Sequence, residues 1–220
     1  MNKKAIVITS PSLLMTQVVS RLEESGVTTK VLNKSLIKSK KDACSLAEQY
    51  AADGFDYVVY SALLPEQKYP CNILEMEPDE WEEWKTDVFS SSYYSYQFFK
   101  KLLDFGKGKY FVVGSSAGLF PDTTKETEGA ASAAVFMDMR CVAAEISNAD
   151  VTVNGFAVGD IEGKDAQDEN KLNHIPIHRY GDAESIADRM VSNILSDDLF
   201  MNGTVINLDG GFSSRYMREW

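Results

Sequence analysis

The sequence predicts an α/β chain, a single Rossmann-like, doubly wound parallel sheet of six to seven strands. Three observations predict it. Short β-branched runs alternate with longer stretches of helical period along the whole chain, as they must when parallel strands are joined by crossover helices. The strand runs are apolar on consecutive residues, the pattern of strands covered on both faces. Glycines stand where the helical periods stop.

Taken in order, Ala5-Ile6-Val7-Ile8 is the first strand. Leu13, Leu14, Val18, Val19 and Leu22 recur at helical spacing, and the period halts at Gly26. Residues 27–32 read as the second strand. A helix follows over about 41–52 and closes at Gly54. Residues 57–60 form the next strand. One long, aromatic-rich helix is predicted over 78–105. A strand at 110–113, a helix at 130–146 with small residues on much of its surface, and a strand at 151–156 follow. The polar, irregular stretch 159–176 reads as a long surface loop or a lid. An amphipathic helix at 183–195 and a strand at 205–208 complete the pattern. No repeat, low-complexity tract or linker interrupts it, so residues 1–220 are expected to be one domain.

Charge and cysteine usage narrow the function. The 33 acidic and 22 basic residues leave a net charge of -11, which argues against a nucleic-acid partner, since phosphate backbones are bound by clustered Lys and Arg. The one basic cluster, around 38–41, reads as a solvated turn. Cys44, Cys71 and Cys141 are odd in number and widely spaced, as in reduced cytoplasmic proteins. The apolar run after the basic start is too short for a signal peptide, and no run reaches transmembrane length, so no membrane association is expected. His174 and His178 lack acidic or thiol companions at ligand spacing, so no metal is expected.

Four segments carry a resemblance. Gly114-Ser115-Ser116-Ala117-Gly118 ends a strand, and Val153-Asn154-Gly155-Phe156-Ala157-Val158-Gly159 forms another. Arg179-Tyr180-Gly181-Asp182-Ala183-Glu184-Ser185-Ile186-Ala187 opens the last helix. Gly203-Thr204-Val205-Ile206-Asn207-Leu208-Asp209-Gly210-Gly211 holds the closing strand and a DGG turn. In this order and spacing, over nearly the whole chain, the sequence resembles the short-chain dehydrogenase/reductase family. The resemblance implies NAD(P) bound at a glycine-rich turn after the first strand. It implies a Tyr as general acid/base, with a Lys four residues later to bring a phenol of ordinary pKa near 10 into range. A Ser that orients the substrate carbonyl and an Asn that holds a relay water belong to the same set.

Against that pattern the residues depart. The three turn glycines fall on Ser10, Leu14 and Thr16, where the Leu14 side chain is expected to fill the phosphate's room and Pro11 removes a donor. The Ser position is Ser115. The Tyr position falls on Glu128, the Lys position on Ser132, and the Asn position on Asp87 or Val88. No Tyr lies between Tyr110 and Tyr180, and Lys125 precedes the site, so a shift of register restores nothing. The motif after the third strand reads Tyr60-Ser61-Ala62-Leu63, and the nicotinamide-contacting motif reads Val158-Gly159-Asp160-Ile161-Glu162-Gly163. The chain is shortened after the second strand, between Leu32 and Lys41, where one helix and the family's third strand, with its adenine-contacting acid, belong.

These losses point to a non-catalytic subunit that binds no cofactor itself and pairs with an active short-chain dehydrogenase carrying NAD, or with a second copy of itself. The family's dimers are built on the two long helices. Here those helices offer Tyr93, Tyr94, Tyr96 and Phe98 on the first and Ala133, Ala134 and Met137 on the second, with Trp220 at the tail as a further anchor. The pattern of losses is similar to the inactive subunit of heteromeric 2-[hydroxy(phenyl)methyl]succinyl-CoA dehydrogenases of anaerobic toluene breakdown, which implies an acyl-CoA substrate shared with the partner. Two other readings stay open: an atypical reductase working through Ser115 and Glu128, and a metabolite sensor reusing the empty cleft.

Overall fold

Strand β1 (Lys4–Thr9) is buried from Ala5 onward and lies between β2 (Thr28–Asn33) and β3 (Tyr57–Ser61), parallel to both. The computed structural model describes residues 3–51, 54–64, 69–104, 108–146, 150–163, 172–197 and 200–214. Strands β4 (Lys109–Ser115), β5 (Thr152–Val158) and β6 (Val205–Leu208) extend the sheet in the order β2-β1-β3-β4-β5-β6, every pair parallel. Every residue of β3, β4 and β5 is buried, which is why these segments read as unbroken apolar runs.

Helices cover both faces. On one lie α1 (Leu13–Glu24) and α6 (Ala183–Leu195), whose Leu14, Val18, Leu22, Met190 and Ile194 pack with Val7, Val59, Phe111 and Phe156. On the other lie α2 (Lys40–Ala51), α4 (Ser91–Leu103) and α5 (Glu126–Glu145), which bring Ala47, Phe98, Leu102, Phe136 and Met139 against Ile6, Val58, Tyr110 and Val112. Where α1 stops, Gly26 takes φ +80°, a left-handed conformation that suits glycine.

Among the described residues the sheet has six strands, within the expected range. The shortening is visible where it was expected: β2 ends at Asn33, a single 3₁₀ turn spans Lys34–Leu36, and α2 begins at Lys40. Strand β2 is therefore the sheet edge. Only Leu32 of its residues is buried, and Val31 is 49% exposed.

Two helices differ from expectation. The rod over 78–103 is α3 (Pro78–Lys85), a π turn (Thr86–Ser90) and α4 in direct succession, not one regular helix. Helix α5 starts at Glu126, four residues before its alanines. Its first turn carries Glu126 and Glu128, which suit a helix N-terminus electrostatically but show no apolar period.

The outer face of this layer corrects part of the expected interface. Tyr96 and Phe98 are core residues, 8% and 0% exposed, with Tyr96 5.2 Å from the Tyr110 ring. They pack inward because the two faces of α4 are unequal. Tyr93, Phe89 and Met137 are 45–56% exposed, Ala133 is exposed, and Tyr94 and Ala134 are half-buried. Trp220 lies outside the described residues. Phe98→Ala is expected to destabilise the isolated chain by about 3–5 kcal/mol, as a core truncation does. Tyr93→Ala is expected to change it by no more than about 0.5 kcal/mol. Urea denaturation of both variants separates the two roles.

Candidate functional site

The carboxyl ends of the strands open onto one crevice at β1 and β3, because the chain leaves β1 toward the β2 edge and leaves β3 toward β4 on the other side. In a doubly wound sheet ligands bind at such a point. The described residues line several hollows along it, of very different size, one of them about 290 Å³ past the ends of β5 and β6 between Asp160, Tyr180, Arg189 and Asp209.

The first hollow, about 440 Å³, lies at the ends of β1, β2 and β3. Ser10, Asn33, Lys34, Ser35, Ile37, Lys38 and Leu64 line one side, and Thr86, Asp87, Ser90 and Tyr94 of the π turn and α4 line the other. Lys34 Nζ donates to the Leu63 carbonyl at 2.9 Å and lies 5.9 Å from the Tyr60 ring centre. The Tyr69 hydroxyl donates to Asp87 Oδ2 at 2.6 Å. A π turn re-aims side chains within a helix. Here it directs Asp87 to the hollow while its neighbour Val88 is buried in the core.

The turn after β1 departs from a phosphate cradle by another route than expected. Leu14 does not occupy phosphate room. It is 2% exposed and belongs to the core beneath α1, because the helix begins at Leu13 and position 14 faces the sheet. The exposed apolar side chain is Leu13, at 58%. Ser12 caps the helix, its Oγ accepting from Met15 N at 3.2 Å, so a donor that a helix N-terminus offers to an anion is already used. Thr16 is exposed, and its hydroxyl donates to the Ser12 carbonyl at 2.9 Å.

The second hollow holds about 10 Å³, between Ser115, Ser116, Ala117, Asp122, Lys125, Asp160 and Phe212. That is room for about one water. An ion pair closes it: Lys125 Nζ, ahead of α5, meets Asp160 Oδ1 just past β5, with side chains 18% and 10% exposed. Phe120 packs edge-on against Phe212 at 6.0 Å. Ser115 is 2% exposed, and its hydroxyl accepts from Ala117 N at 3.3 Å, folded into its own turn. Ser132 Oγ accepts from Ser115 N at 2.9 Å.

Ser115 and Ser132 therefore meet, but as a structural bond that fixes α5 to the end of β4. A Cβ at Gly118 would stand 2.7 Å from Ala133 N, so the two segments are in closest backbone contact there. Glu128 is half-buried in the first turn of α5. That turn is strapped down by the preceding segment. Thr127 Oγ1 donates to the Pro70 carbonyl at 2.9 Å, and Ile73 N donates to Glu126 Oε2 at 3.1 Å. Two buried phenols, Tyr96 and Tyr110, lie in the core beneath α4. Burial pushes the Tyr96 and Tyr110 hydroxyls well above the usual range, and Tyr110 is bonded to Ser95 Oγ at 2.7 Å. His174 and His178 are exposed, and among the described residues no three His, Cys, Asp or Glu side chains gather for a metal. Among the described residues no helix is long and apolar enough to cross a membrane.

The motifs that carried the resemblance hold the fold. Asn154 is fully buried, donating to the Met201 carbonyl at 2.8 Å and accepting from Thr204 N at 3.1 Å, which ties β5 to the start of β6. Asp209 accepts from Gly211 N and Ser213 N, each at 2.9 Å, and closes the DGG turn. The sequence reading missed the Lys125–Asp160 pair, whose members are 35 residues apart, and the wall position of Lys34.

Residues 6–213 match the family model described as "Enoyl-(Acyl carrier protein) reductase". The 3-oxoacyl-[acyl-carrier-protein] reductase FabG of Vibrio harveyi is 26% identical over 146 residues, 63% of this chain and 60% of that protein. The enzyme of the same name from Pseudomonas aeruginosa is 29% identical over 147 residues, 63% and 59% of the two chains. The chain thus spans about 60% of the length of these curated relatives. Among solved structures, 3-ketoacyl-(acyl-carrier-protein) reductase from Brucella melitensis, complexed with NADH, superposes with a TM-score of 0.80 at 16% identity, over 96% of this chain and 98% of that one. ElxO with NADP bound gives 0.84 at 14%, over 98% and 100%. These likenesses establish the fold.

Removing one partner of the Lys125–Asp160 pair leaves an uncompensated charge in a nearly closed space. Lys125→Met and Asp160→Asn are each expected to destabilise the chain by about 3–5 kcal/mol, and the double variant by less than the sum. A denaturant double-mutant cycle measures the coupling.

Proposed function

The chain belongs to the short-chain dehydrogenase/reductase family, an oxidoreductase family, and on that premise we propose that it is a non-catalytic member that supports an active, NAD-dependent partner. One observation carries the reading: beside Ser115, where the family resemblance puts the nicotinamide and the reacting carbonyl, the Lys125–Asp160 pair and Phe212 border a space of about 10 Å³, and the roomier hollow of about 290 Å³ lies on the far side of Asp160. Hydride transfer requires the cofactor ring and substrate to lie in contact within a pocket, and a water-sized space admits neither. Helix α5 contains no tyrosine and no lysine, so a proton carrier of the family's kind is missing at the same place.

Two features support pairing. Tyr93, Phe89 and Met137 are exposed on neighbouring helices with Ala133 between, an aromatic and methionine surface of the composition found at interface centres. The acids of α3, Asp79, Glu80, Glu82 and Glu83, flank that surface. They would oppose one another across a symmetric dimer and favour a partner of different charge. An active short-chain dehydrogenase is the partner this reading names. Its substrate, by the pattern of losses, is a hydroxyacyl-CoA of the kind oxidised by heteromeric dehydrogenases of aromatic breakdown. The reductase activity of the curated relatives is the competing reading.

Titration with NADH and NADPH, followed by nicotinamide fluorescence, is expected to give no saturable change with this chain alone, and the purified chain is expected to reduce no 3-oxoacyl thioester. Saturable binding at micromolar cofactor, or turnover, overturns the reading in favour of an atypical reductase. Co-expression with an active family member is expected to give a stable hetero-oligomer that Tyr93→Lys disrupts.

A further inference from the structure

Strand β2 is a sheet edge with unused hydrogen-bonding groups. Thr28 N donates to the Lys3 carbonyl at 2.9 Å, so Thr28, Lys30 and Leu32 turn their backbone groups toward β1. Thr29 and Val31 then turn theirs outward, where β2 has no neighbouring strand among the described residues. No turn, loop or side chain among those residues bonds the backbone of either. We propose that this edge takes up an extended, acidic segment of a partner protein as an added strand.

The two faces of β2 say what such a segment carries. Leu32 packs with Ala43 and Ala47 of α2, and Lys30 lies 5.7 Å from the ring of Tyr50 on the same helix. Side chains alternate along a strand, so Thr29 and Val31 lie on the opposite face, where Val31 is 49% exposed. On a chain of net charge -11, residues 30–41 hold five lysines and no acid. Lys30 and Lys34 lie against the Tyr50 and Tyr60 rings. Lys38, Lys40 and Lys41 are exposed and form no ion pair among the described residues. They stand between the carboxyl end of β2 and the first turn of α2. A segment that alternates apolar and acidic residues sets its apolar side chains beside Val31 and its carboxylates on the α2 face, toward these lysines. Main-chain pairing gives such an added strand its affinity, and the alternate side chains give it specificity.

Charge selects this occupant over others. Lysines on an open edge deter a neutral or basic strand, and toward an acidic one the same charges become attractive. A second copy of the chain brings a second Lys30 and a second net charge of -11 to the same edge, which opposes self-pairing. A nucleic acid has no amide ladder to pair with Thr29 and Val31, and the net charge opposes it as well. The edge offers this pairing whether or not the crevice is catalytic.

Fluorescence-anisotropy titration of the full chain with a labelled peptide of about eight residues, alternating valine and glutamate, tests this. Saturable binding is expected. A valine–lysine peptide of the same length, and the valine–glutamate peptide with every backbone nitrogen methylated, are each expected to bind at least about tenfold more weakly. Exchange of the Thr29 and Val31 amide hydrogens, read by nuclear magnetic resonance, is expected to slow when the peptide saturates the chain. Val31→Pro removes an outward N–H that β1 does not use, a place where an edge strand tolerates proline. It is expected to weaken binding by at least about tenfold. The triple change Lys38→Gln, Lys40→Gln and Lys41→Gln is expected to do the same, and Lys100→Gln on α4 to leave binding unchanged. Where the proline variant melts early, the triple lysine variant and the methylated peptide carry the same test. No saturable binding at about 1 mM overturns the inference. So does binding that the methylated or the valine–lysine peptide matches, or that neither set of substitutions weakens. Equally tight binding of an oligodeoxythymidylate overturns it in favour of a nucleic acid. Self-association in sedimentation that Val31→Pro abolishes overturns it in favour of a second copy.

Discussion

Two-sided burial of the central strands is the constraint from which the rest of the structure follows. Strands β3, β4 and β5 expose nothing on either face. Their backbone groups are satisfied by parallel neighbours, and their side chains need helices above and below. That requirement places α1 and α6 on one face and α2, α4 and α5 on the other. It also brings every strand's carboxyl end to one side. The crevice exists because the chain crosses in opposite directions from β1, and it persists whatever residues stand there. A scaffold of this kind can lose its chemistry without losing its shape.

The edge behaves differently from the centre. Strand β2 has one neighbour, and most of its side chains are exposed, so a further strand and helix beyond it contribute little to the main core. Shortening the chain there removes the covering of β2 and leaves β1 and β3 untouched. What remains at the edge is charged: Lys30 lies 5.7 Å from the Tyr50 ring and Lys34 5.9 Å from the Tyr60 ring. Lysines on an exposed edge also discourage pairing with a stray strand. Of these two lysines Lys34 also borders the larger hollow.

Much of this was legible in the sequence, and the failures have physical causes. Strand positions, helix alternation and the shortening after β2 were readable because periodicity is a local signal. Ser115 and Ser132 meet through the Ser115 N–H, a contact that motif spacing does not specify because spacing says nothing about which way a hydroxyl turns. Leu14 was misread because alignment to glycine positions ignores the start of the helix: a helix beginning at Leu13 sends position 14 to the sheet and position 13 to solvent. Tyr96 and Phe98 were misread because aromatic density does not separate the two faces of a helix whose period is shifted by a π turn. The Lys125–Asp160 pair joins residues on different loops and has no local pattern at all.

That pair changes what the crevice can mean. Here the two ends diverge. Near Ser115 an ion pair and an aromatic contact leave room for about one water. Near Lys34 the volume stays open and positively lined on an otherwise acidic chain. A buried ion pair is poor evidence of extra stability, because desolvation offsets its attraction. Its structural consequence is firmer: it pins the segment ahead of α5 to the end of β5, across the place where two reactants would need to meet. The chain also keeps an open hollow at the Lys34 end and exposes Tyr93 and Met137 on α4 and α5.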